Sequence, residues 1–180
     1  MPPSILLLDD EPHVLAAIRR CLRGGLGDGV AIESYVDAHE ALGRAGQREF
    51  DLVISDFRMP AMDGIQFLRF FRELQPNAMR MIVSASIEIN GVMSAINDVG
   101  VFRYIVKPWT TELLIEDVRA ALALSDAQRK VRELSDTARG VDPREAAERR
   151  RLEAMEPGLT DVTWGPNGEV VMPNLYPGEL

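Results

Sequence analysis

Short apolar runs and longer segments with helical spacing alternate along the first two thirds of the chain. The short runs predict buried strands at Ser4–Leu8, Ala31–Tyr35, Leu52–Ser55, Arg80–Ser84 and Arg103–Val106. Apolar residues recur every three or four positions in segments that predict helices at Pro12–Arg23, Ala38–Ala45, Gly64–Leu74, Glu88–Val99 and from Thr110 onward. Strands that alternate with helices in this way predict an α/β fold, in which helices cover both faces of a doubly wound five-stranded parallel sheet.

The remaining residues predict a C-terminal helical and hairpin extension. We therefore divide the chain into a domain at 1–124 and an extension at 125–180. The last helix continues into the extension, a second helix starts at Asp142, and a β-hairpin pairs Asp161–Trp164 with Glu169–Met172. A modest heptad-like seam follows the continued helix through Ala120, Leu124, Ala127, Val131, Leu134 and Ala138. Burial of these apolar faces in a second copy predicts a homodimer through residues 125–180, and packing onto the first domain is the alternative.

Composition narrows the partners that we expect. The chain has 28 acidic and 20 basic residues, a net charge of −8, so it repels phosphate backbones and we expect no nucleic-acid partner. The two histidines argue against a His-rich metal centre. The single cysteine agrees with a reducing compartment. Apolar runs are far shorter than the roughly 20 residues of a membrane span, and we expect a cytoplasmic protein that does not contact a membrane.

Chemically reactive side chains follow four of the predicted strands. Asp9 and Asp10 follow the first strand, Asp56 follows the third, Ser84 ends the fourth, and Lys107 follows the fifth. In an open parallel sheet, the carboxyl ends of the strands form the binding edge. Crowded carboxylates need a cation, and hard oxygen ligands of this kind suit Mg²⁺. Lys107 suits a phosphoryl or carboxylate oxygen. The simpler alternative is an acidic rim that Lys107 neutralises.

Four segments in this order resemble the receiver domain of two-component response regulators, the CheY-like family. They are Asp9-Asp10-Glu11-Pro12, the run from Ile54 to Gly64 around Asp56, Ser84-Ala85, and the run from Tyr104 to Pro108. Each segment alone is common, whereas the four in this order and spacing are specific. The resemblance covers about residues 3–124 and implies the same fold that the hydrophobic pattern predicts.

The resemblance implies a role for each matching acidic position. Asp56 is expected to accept a phosphoryl group from a sensor histidine kinase or a phosphotransfer protein. Asp10 and Asp56 are expected to bind Mg²⁺ directly, Asp9 through a water molecule, and Arg58 through its backbone carbonyl. Lys107 is expected to bind the phosphoryl group. The chain is then a signalling switch rather than an enzyme, with only Mg²⁺-dependent self-phosphorylation and dephosphorylation.

Two further residues are expected to transmit the signal. By the same resemblance, Ser84 supplies the hydroxyl that turns towards the phosphoryl group, and Tyr104 supplies the aromatic ring that responds. The Lys-Pro-Trp run at 107–109 is similar to receivers that are often joined to HD-GYP phosphodiesterases or nucleotide cyclases. Residues 125–180 carry no histidine and no cyclase signature, so we expect no such output here.

Three functions stay open at this point. The first is a switch that acts through an unknown downstream protein or a change of oligomer. The second is a phosphorelay intermediate that passes the phosphoryl group from Asp56 to a histidine phosphotransfer protein. The third is a ligand-binding module without phosphotransfer, which the acidic pair together with Asp56, Ser84 and Lys107 disfavours.

Overall fold

A computed structural model describes residues 2–85 and 99–138, together with residues 148, 152, 163, 164, 170 and 171. The chain forms two compact units, Met1–Leu134 and Ser135–Leu180. The first unit contains the sheet and its helices. The predicted helix Glu88–Val99 lies outside the described residues, except for Val99, which is helical and buried.

The described strands and helices of the first unit begin within one residue of their predicted starts. The strands are β1 (Ser4–Leu8), β2 (Ala31–Tyr35), β3 (Leu52–Asp56), β4 (Met79–Ser84) and β5 (Arg103–Val106). The helices are α1 (Pro12–Leu26), α2 (Ala38–Ala45), α3 (Gly64–Leu74) and α4 (Thr111–Ala138), and a 3₁₀ turn covers Gly27–Gly29. Asp37 and Asp63 cap α2 and α3 by accepting hydrogen bonds from the backbone N–H groups of Glu40 and Gln66.

The five strands form one parallel sheet in the order β2-β1-β3-β4-β5. β2 lies on one side of β1 and β3 lies on the other, so the chain reverses its direction of winding after β2. The sheet is therefore doubly wound, and the predicted fold class is confirmed. One core cluster joins the sheet to α1 and α4, through residues such as Ile18 and Val118. A second cluster joins it to α2 and α3, through residues such as Ala41 and Phe67.

A polar contact joins the part of α4 that follows Leu124 to the sheet. Asp51, directly before β3, accepts hydrogen bonds from the backbone N–H of Ser4 at 2.8 Å and from Arg129 of α4 at 3.0 Å. Ser125 is buried and lies 3.4 Å from the same carboxylate. The carboxylate of Asp51 therefore holds the turns of α4 that follow Leu124, where the apolar pattern weakens.

The second unit contains the predicted β-hairpin. Its two short strands, β6 (Thr163–Trp164) and β7 (Val170–Val171), pair antiparallel. Residues 148 and 152 are helical, in agreement with the predicted second helix, and the rest of that helix lies outside the described residues. Among the described residues, no helix combines the length and the apolar character that a membrane span requires.

Candidate functional site

Two buried carboxylates lie at the carboxyl edge of the sheet. Asp9 follows β1 and is 1% exposed, and Asp56 ends β3 and is 6% exposed. β1 and β3 are neighbours in register, with Leu8 opposite Ser55, so these two carboxylates are adjacent by topology. The predicted meeting of strand ends is therefore realised for this pair.

Lys107 joins both carboxylates from the loop that follows β5. Its Nζ lies 2.6 Å from Oδ1 of Asp56 and 2.9 Å from Oδ2 of Asp9. The backbone N–H of Lys107 also donates to the carbonyl oxygen of Ser84 at 2.7 Å. The peptide bond between Lys107 and Pro108 is cis. Lys107 thus links the ends of β1, β3 and β4 through one side chain and one backbone bond.

Backbone donors hold the second oxygen of each carboxylate. Oδ1 of Asp9 accepts the backbone N–H of Glu11 at 2.9 Å, and Oδ2 of Asp56 accepts that of Arg58 at 2.6 Å. In each of the two side chains, one oxygen contacts Lys107 and the other accepts a hydrogen bond from the backbone N–H two residues later. Such bonds restrict rotation of the two carboxyl groups.

Burial and charge oppose each other in this cluster. Burial raises the pKa of Asp9, although hydrogen bonds from Lys107 and Glu11 act to lower it. Burial also acts to lower the pKa of Lys107, but the hydrogen bonds and charges of Asp56 and Asp9 outweigh it, so that this pKa is raised. We therefore assign Lys107 as an ammonium. Three carboxyl groups, those of Asp9, Asp10 and Asp56, follow the strands at this edge, against the one ammonium of Lys107.

The chemistry of the cluster fits a divalent cation, although its ligands are not assembled. As the side chains stand, the described residues contain no group of three His, Cys, Asp or Glu side chains that could hold a metal ion. The ammonium of Lys107 forms an ion pair with one carboxylate oxygen of Asp9 and with one of Asp56. The donors are hard carboxylate oxygens that outnumber the single ammonium, and Asp10 is only partly buried. Mg²⁺ prefers such donors and keeps part of its water shell.

The two predicted switch residues lie on the neighbouring strands β4 and β5. Ser84 ends β4, is 2% exposed and pairs with Val106 in register. Tyr104 pairs with Ile82 and packs against the core cluster of α2 and α3. Lys107, Ser84 and Tyr104 therefore lie within one small segment of two adjacent strands.

Two neighbours of Asp56 were not predicted from the sequence. Ser55 donates its hydroxyl to the carbonyl oxygen of Asp56 at 2.8 Å. Gly64, the first residue of α3, donates its backbone N–H to the carbonyl oxygen of Phe57 at 2.9 Å. A methyl group on Gly64 would overlap the carbonyl oxygen of Asp56. In the sequence, Gly64 directly follows Asp63, the capping residue of α3. Its close approach to the main chain of Asp56 depends on the tertiary structure.

A family profile described as "Response regulator receiver domain" matches residues 5–119. The chain belongs to this family. Receiver domains of two-component systems accept a phosphoryl group on an aspartate and generally bind Mg²⁺ at an acidic pocket. The resemblance inferred from the four segments is thereby confirmed at the level of the family.

Curated relatives are longer regulators. The hydrogenase transcriptional regulatory protein HoxA of Bradyrhizobium diazoefficiens is 34% identical over 142 residues, which cover 77% of this chain and 27% of that protein. The C4-dicarboxylate transport transcriptional regulatory protein DctD of Rhizobium meliloti is 32% identical over 119 residues, 66% of this chain and 25% of that protein. The chain thus spans about a quarter of the length of these relatives.

Solved structures show the same fold. The signal receiver domain of an HD domain-containing protein from Pseudomonas fluorescens Pf-5 is 29% identical, with a TM-score of 0.66 over 72% of this chain and 93% of that one. A CheY-like receiver domain protein from Methanospirillum hungatei gives a TM-score of 0.65 at 23% identity, over 71% and 99% of the two chains. The second match, at this identity, supports the fold alone.

Proposed function

We propose that this chain is a response regulator that accepts a phosphoryl group on Asp56 from a sensor histidine kinase or a phosphotransfer protein. The observation that carries the proposal is the contact of Asp56 with Lys107 at 2.6 Å, beside the buried Asp9. The burial of two carboxylates around one lysine at a sheet edge favours this function over an acidic rim that Lys107 only neutralises.

The chemistry of the proposed transfer depends on charge. A carboxylate oxygen of Asp56 forms the bond to phosphorus while the phosphorus–nitrogen bond of a phosphohistidine breaks, and the imidazole keeps that electron pair. Lys107 neutralises the negative charge on the transferred group, because its ammonium already lies within hydrogen-bond distance of Asp56. Asp10 and Asp56, the backbone carbonyl of Arg58 and, through water, Asp9 would hold Mg²⁺, which adds further neutralisation when bound.

The switch that follows is a change of packing rather than the chemistry of an enzyme on a separate substrate. A phosphoryl group adds negative charge beside Lys107, and the hydroxyl of Ser84 is a donor that can turn towards it. The backbone bond from Lys107 to Ser84 ties the two positions together. Movement of Ser84 leaves space for Tyr104, whose ring already packs against the core.

The proposed output is contact with a downstream protein or a change of oligomer through residues 125–180. Several relatives are transcriptional regulators by name, and the matched receiver from Pseudomonas fluorescens belongs to an HD domain-containing protein, which agrees with the Lys-Pro-Trp resemblance. For this chain we favour protein contacts, because its net charge of −8 disfavours direct contact with nucleic acid. The alternative proposal is a phosphorelay intermediate.

Phosphorylation of the full chain by acetyl phosphate tests the site. We expect one acid-stable, hydroxylamine-sensitive phosphoryl group on Asp56 that forms with Mg²⁺ and not in excess chelator, as measured by intact mass. Asp56→Asn is expected to abolish the label. Asp28→Asn serves as the matched control, since the Asp28 side chain is fully exposed. Equal labelling of Asp56→Asn would reject the assignment.

A transfer experiment separates the two outputs. The phosphorylated protein is mixed with a histidine phosphotransfer domain, and the mass of both proteins is followed over time. Retention of the phosphoryl group on Asp56 supports the terminal switch. Rapid loss from Asp56 with gain on the phosphotransfer domain supports the relay.

A further inference from the structure

The loop between β3 and α3 contains a main-chain conformation that its residue disfavours. Ala61 has a φ of +65°, and among the residues that the structure describes it is the only one other than glycine with a positive φ. In this left-handed region the Cβ atom of an L-residue crowds a neighbouring carbonyl oxygen, so glycine and asparagine adopt it far more readily than alanine does. Ala61 is therefore a strained residue in the loop that follows Asp56.

The strained residue is the centre of a very tight turn. The backbone N–H of Met62 donates to the carbonyl oxygen of Pro60 at 2.7 Å. A hydrogen bond between residues two apart, around a central residue of positive φ, is the pattern of the rarer and strained form of the γ-turn. Pro60 contributes a fixed φ immediately before the turn. The chain therefore reverses its direction at Ala61 within three residues.

Hydrogen bonds hold both ends of this loop. At its start, the backbone N–H of Arg58 donates to Oδ2 of Asp56 at 2.6 Å. At its end, the backbone N–H of Gly64 donates to the carbonyl oxygen of Phe57 at 2.9 Å. Residues 58–63 thus leave Phe57 and return to it. A loop this short closes only if the chain turns sharply inside it, and the γ-turn supplies that reversal.

Two side chains anchor the turn, whereas the side chain of its central residue does not. Met59 and Met62 are partly buried and pack against the core cluster of α2 and α3. Ala61 between them is exposed. Strained residues persist where the surrounding structure determines their conformation, and these anchors do so here. Because Ala61 is exposed, a substitution at this position acts on the backbone conformation rather than on the core.

The turn bears on the metal site through the backbone of Arg58. The carbonyl oxygen of Arg58 is the Mg²⁺ ligand that we propose on this loop. A side-chain ligand is re-aimed by rotation about its own bonds, whereas a carbonyl oxygen points where the main chain directs it. Mg²⁺ demands nearly ideal octahedral geometry. The conformation of loop 58–63 therefore decides whether this ligand is in place.

We propose that Ala61 is a positioning residue for this metal site: its left-handed turn holds the carbonyl oxygen of Arg58 in place for Mg²⁺, and its strain keeps the loop close to opening. When Ala61 relaxes to a negative φ, the bond from Met62 to Pro60 breaks and the loop opens. An open loop withdraws one ligand, so the apparent dissociation constant for Mg²⁺ rises as the closed fraction falls. The inference rests on the proposed function, because it concerns the same metal.

Three substitutions vary the preference of position 61 for positive φ. Valine is β-branched and disfavours it, whereas asparagine and glycine adopt it readily. Mg²⁺ is titrated into the full chain, and the backbone amide signals are followed by NMR. We expect Ala61→Val to weaken Mg²⁺ binding about threefold to tenfold, and Ala61→Asn and Ala61→Gly to bind at least as tightly as wild type. Asn77→Val, at an exposed turn residue without positive φ, is the control and is expected to leave affinity within about twofold.

Limited trypsin digestion in chelator measures loop opening without the metal. Trypsin cleaves the peptide bond that follows an arginine, and the bond after the exposed Arg58 contains the proposed ligand oxygen. Cleavage requires local opening, and its rate follows the open fraction. We expect Ala61→Val to release the fragment that ends at Arg58 about threefold to tenfold faster than wild type, and Ala61→Asn to release it no faster. Mg²⁺ is expected to slow this cleavage. Urea unfolding of each variant separates local opening from global unfolding.

Equal Mg²⁺ affinity and equal cleavage after Arg58 in wild type and Ala61→Val would overturn the proposal. A loss of affinity in Ala61→Asn as large as that in Ala61→Val would also overturn it, because the size of the side chain rather than φ would then decide. Labelling of Asp56 by acetyl phosphate at saturating Mg²⁺ separates this inference from the proposed function. Equal affinities with labelling intact reject the role of Ala61 alone, whereas a wild-type chain that neither binds Mg²⁺ nor is labelled rejects both.

Discussion

Gly64 offers a direct test of how the main chain around Asp56 is packed. It is the first residue of α3, and its backbone N–H bonds the carbonyl oxygen of Phe57 at 2.9 Å. The perturbation is Gly64→Ala, a single methyl group. That methyl would overlap the carbonyl oxygen of Asp56 and lie 3.0 Å from the Cα of Phe57. The neighbouring atoms belong to backbone, so they cannot turn aside as the end of a long side chain can.

The magnitude follows from the kind of atom that must move. Overpacking by a methyl or methylene in a tight core costs about 1–3 kcal/mol. A backbone neighbour on a central strand places the cost at the upper end of that range, and we expect a loss of about 3 kcal/mol in the free energy of unfolding. The better helix propensity of alanine offsets less than about 1 kcal/mol of this loss. For a domain whose total stability is about 5–15 kcal/mol, the effect is large.

Urea unfolding, followed by circular dichroism, measures the change. With a slope of about 2 kcal/mol per molar urea, the midpoint is expected to fall by about 1.5 M. Gly43→Ala is the matched control, because Gly43 lies inside α2 and a methyl there meets nothing within 4 Å. This control is expected to raise stability by about 0.5–1 kcal/mol. If Gly64→Ala proved as stable as wild type, the close approach to Asp56 would not exist in solution.

Three further changes test the polar contacts. Lys107→Met leaves the buried Asp9 and Asp56 without their ammonium. We expect a loss of about 2–4 kcal/mol in the free energy of unfolding, measured in the presence of a chelator. A variant more stable than wild type would show that the ion pair destabilises the fold. Gln75→Leu removes a buried amide that accepts a hydrogen bond from the N–H of Phe50 and donates to the carbonyl oxygens of Ala45 and Arg48. Urea unfolding is expected to show a loss of about 2–4 kcal/mol in the free energy of unfolding. A loss below about 1 kcal/mol would contradict this role. Glu33→Gln tests the pH dependence of stability: side-chain hydrogen bonds from Arg44 lower the pKa of Glu33 from 4.5 to about 2. The stabilisation is fully present above pH 4.5 and is lost as pH falls towards about 2.

The Glu33 effect is reduced by solvent. A shift from 4.5 to about 2 corresponds to about 3 kcal/mol at most, but the Arg44 and Arg48 side chains are more than a third exposed. We therefore expect about 1–2 kcal/mol between wild type and Glu33→Gln at pH 7, and a smaller difference near pH 2. Glu40→Gln, at an exposed position of α2, is the control. A difference that does not shrink in acid would reject the ion-pair origin of the effect.

The sequence alone determined the elements of the first unit and the chemistry of its binding edge. Run length and period predict the five strands and the start of each described helix in the first unit, because a buried strand is a short apolar run and a half-buried helix repeats apolar residues every three or four positions. The order of strands and helices implies a parallel sheet, and such a sheet gathers Asp9, Asp56, Ser84 and Lys107 at one edge. The resemblance then named the family, which the comparison confirms over residues 5–119.

The tertiary structure alone decided the contacts between distant residues. Lys107 is 98 residues from Asp9 and 51 residues from Asp56 in the chain. No local sequence pattern predicts that its ammonium forms a hydrogen bond with one oxygen of each carboxylate. The contact between Arg129 and Asp51 joins residues that are 78 apart in the chain, and neither of them is apolar. Hydrophobic periodicity reports which side of an element is buried, but it does not report which polar groups meet there. Those pairings depend on which strands become neighbours and on how closely the main chain can approach, as at Gly64.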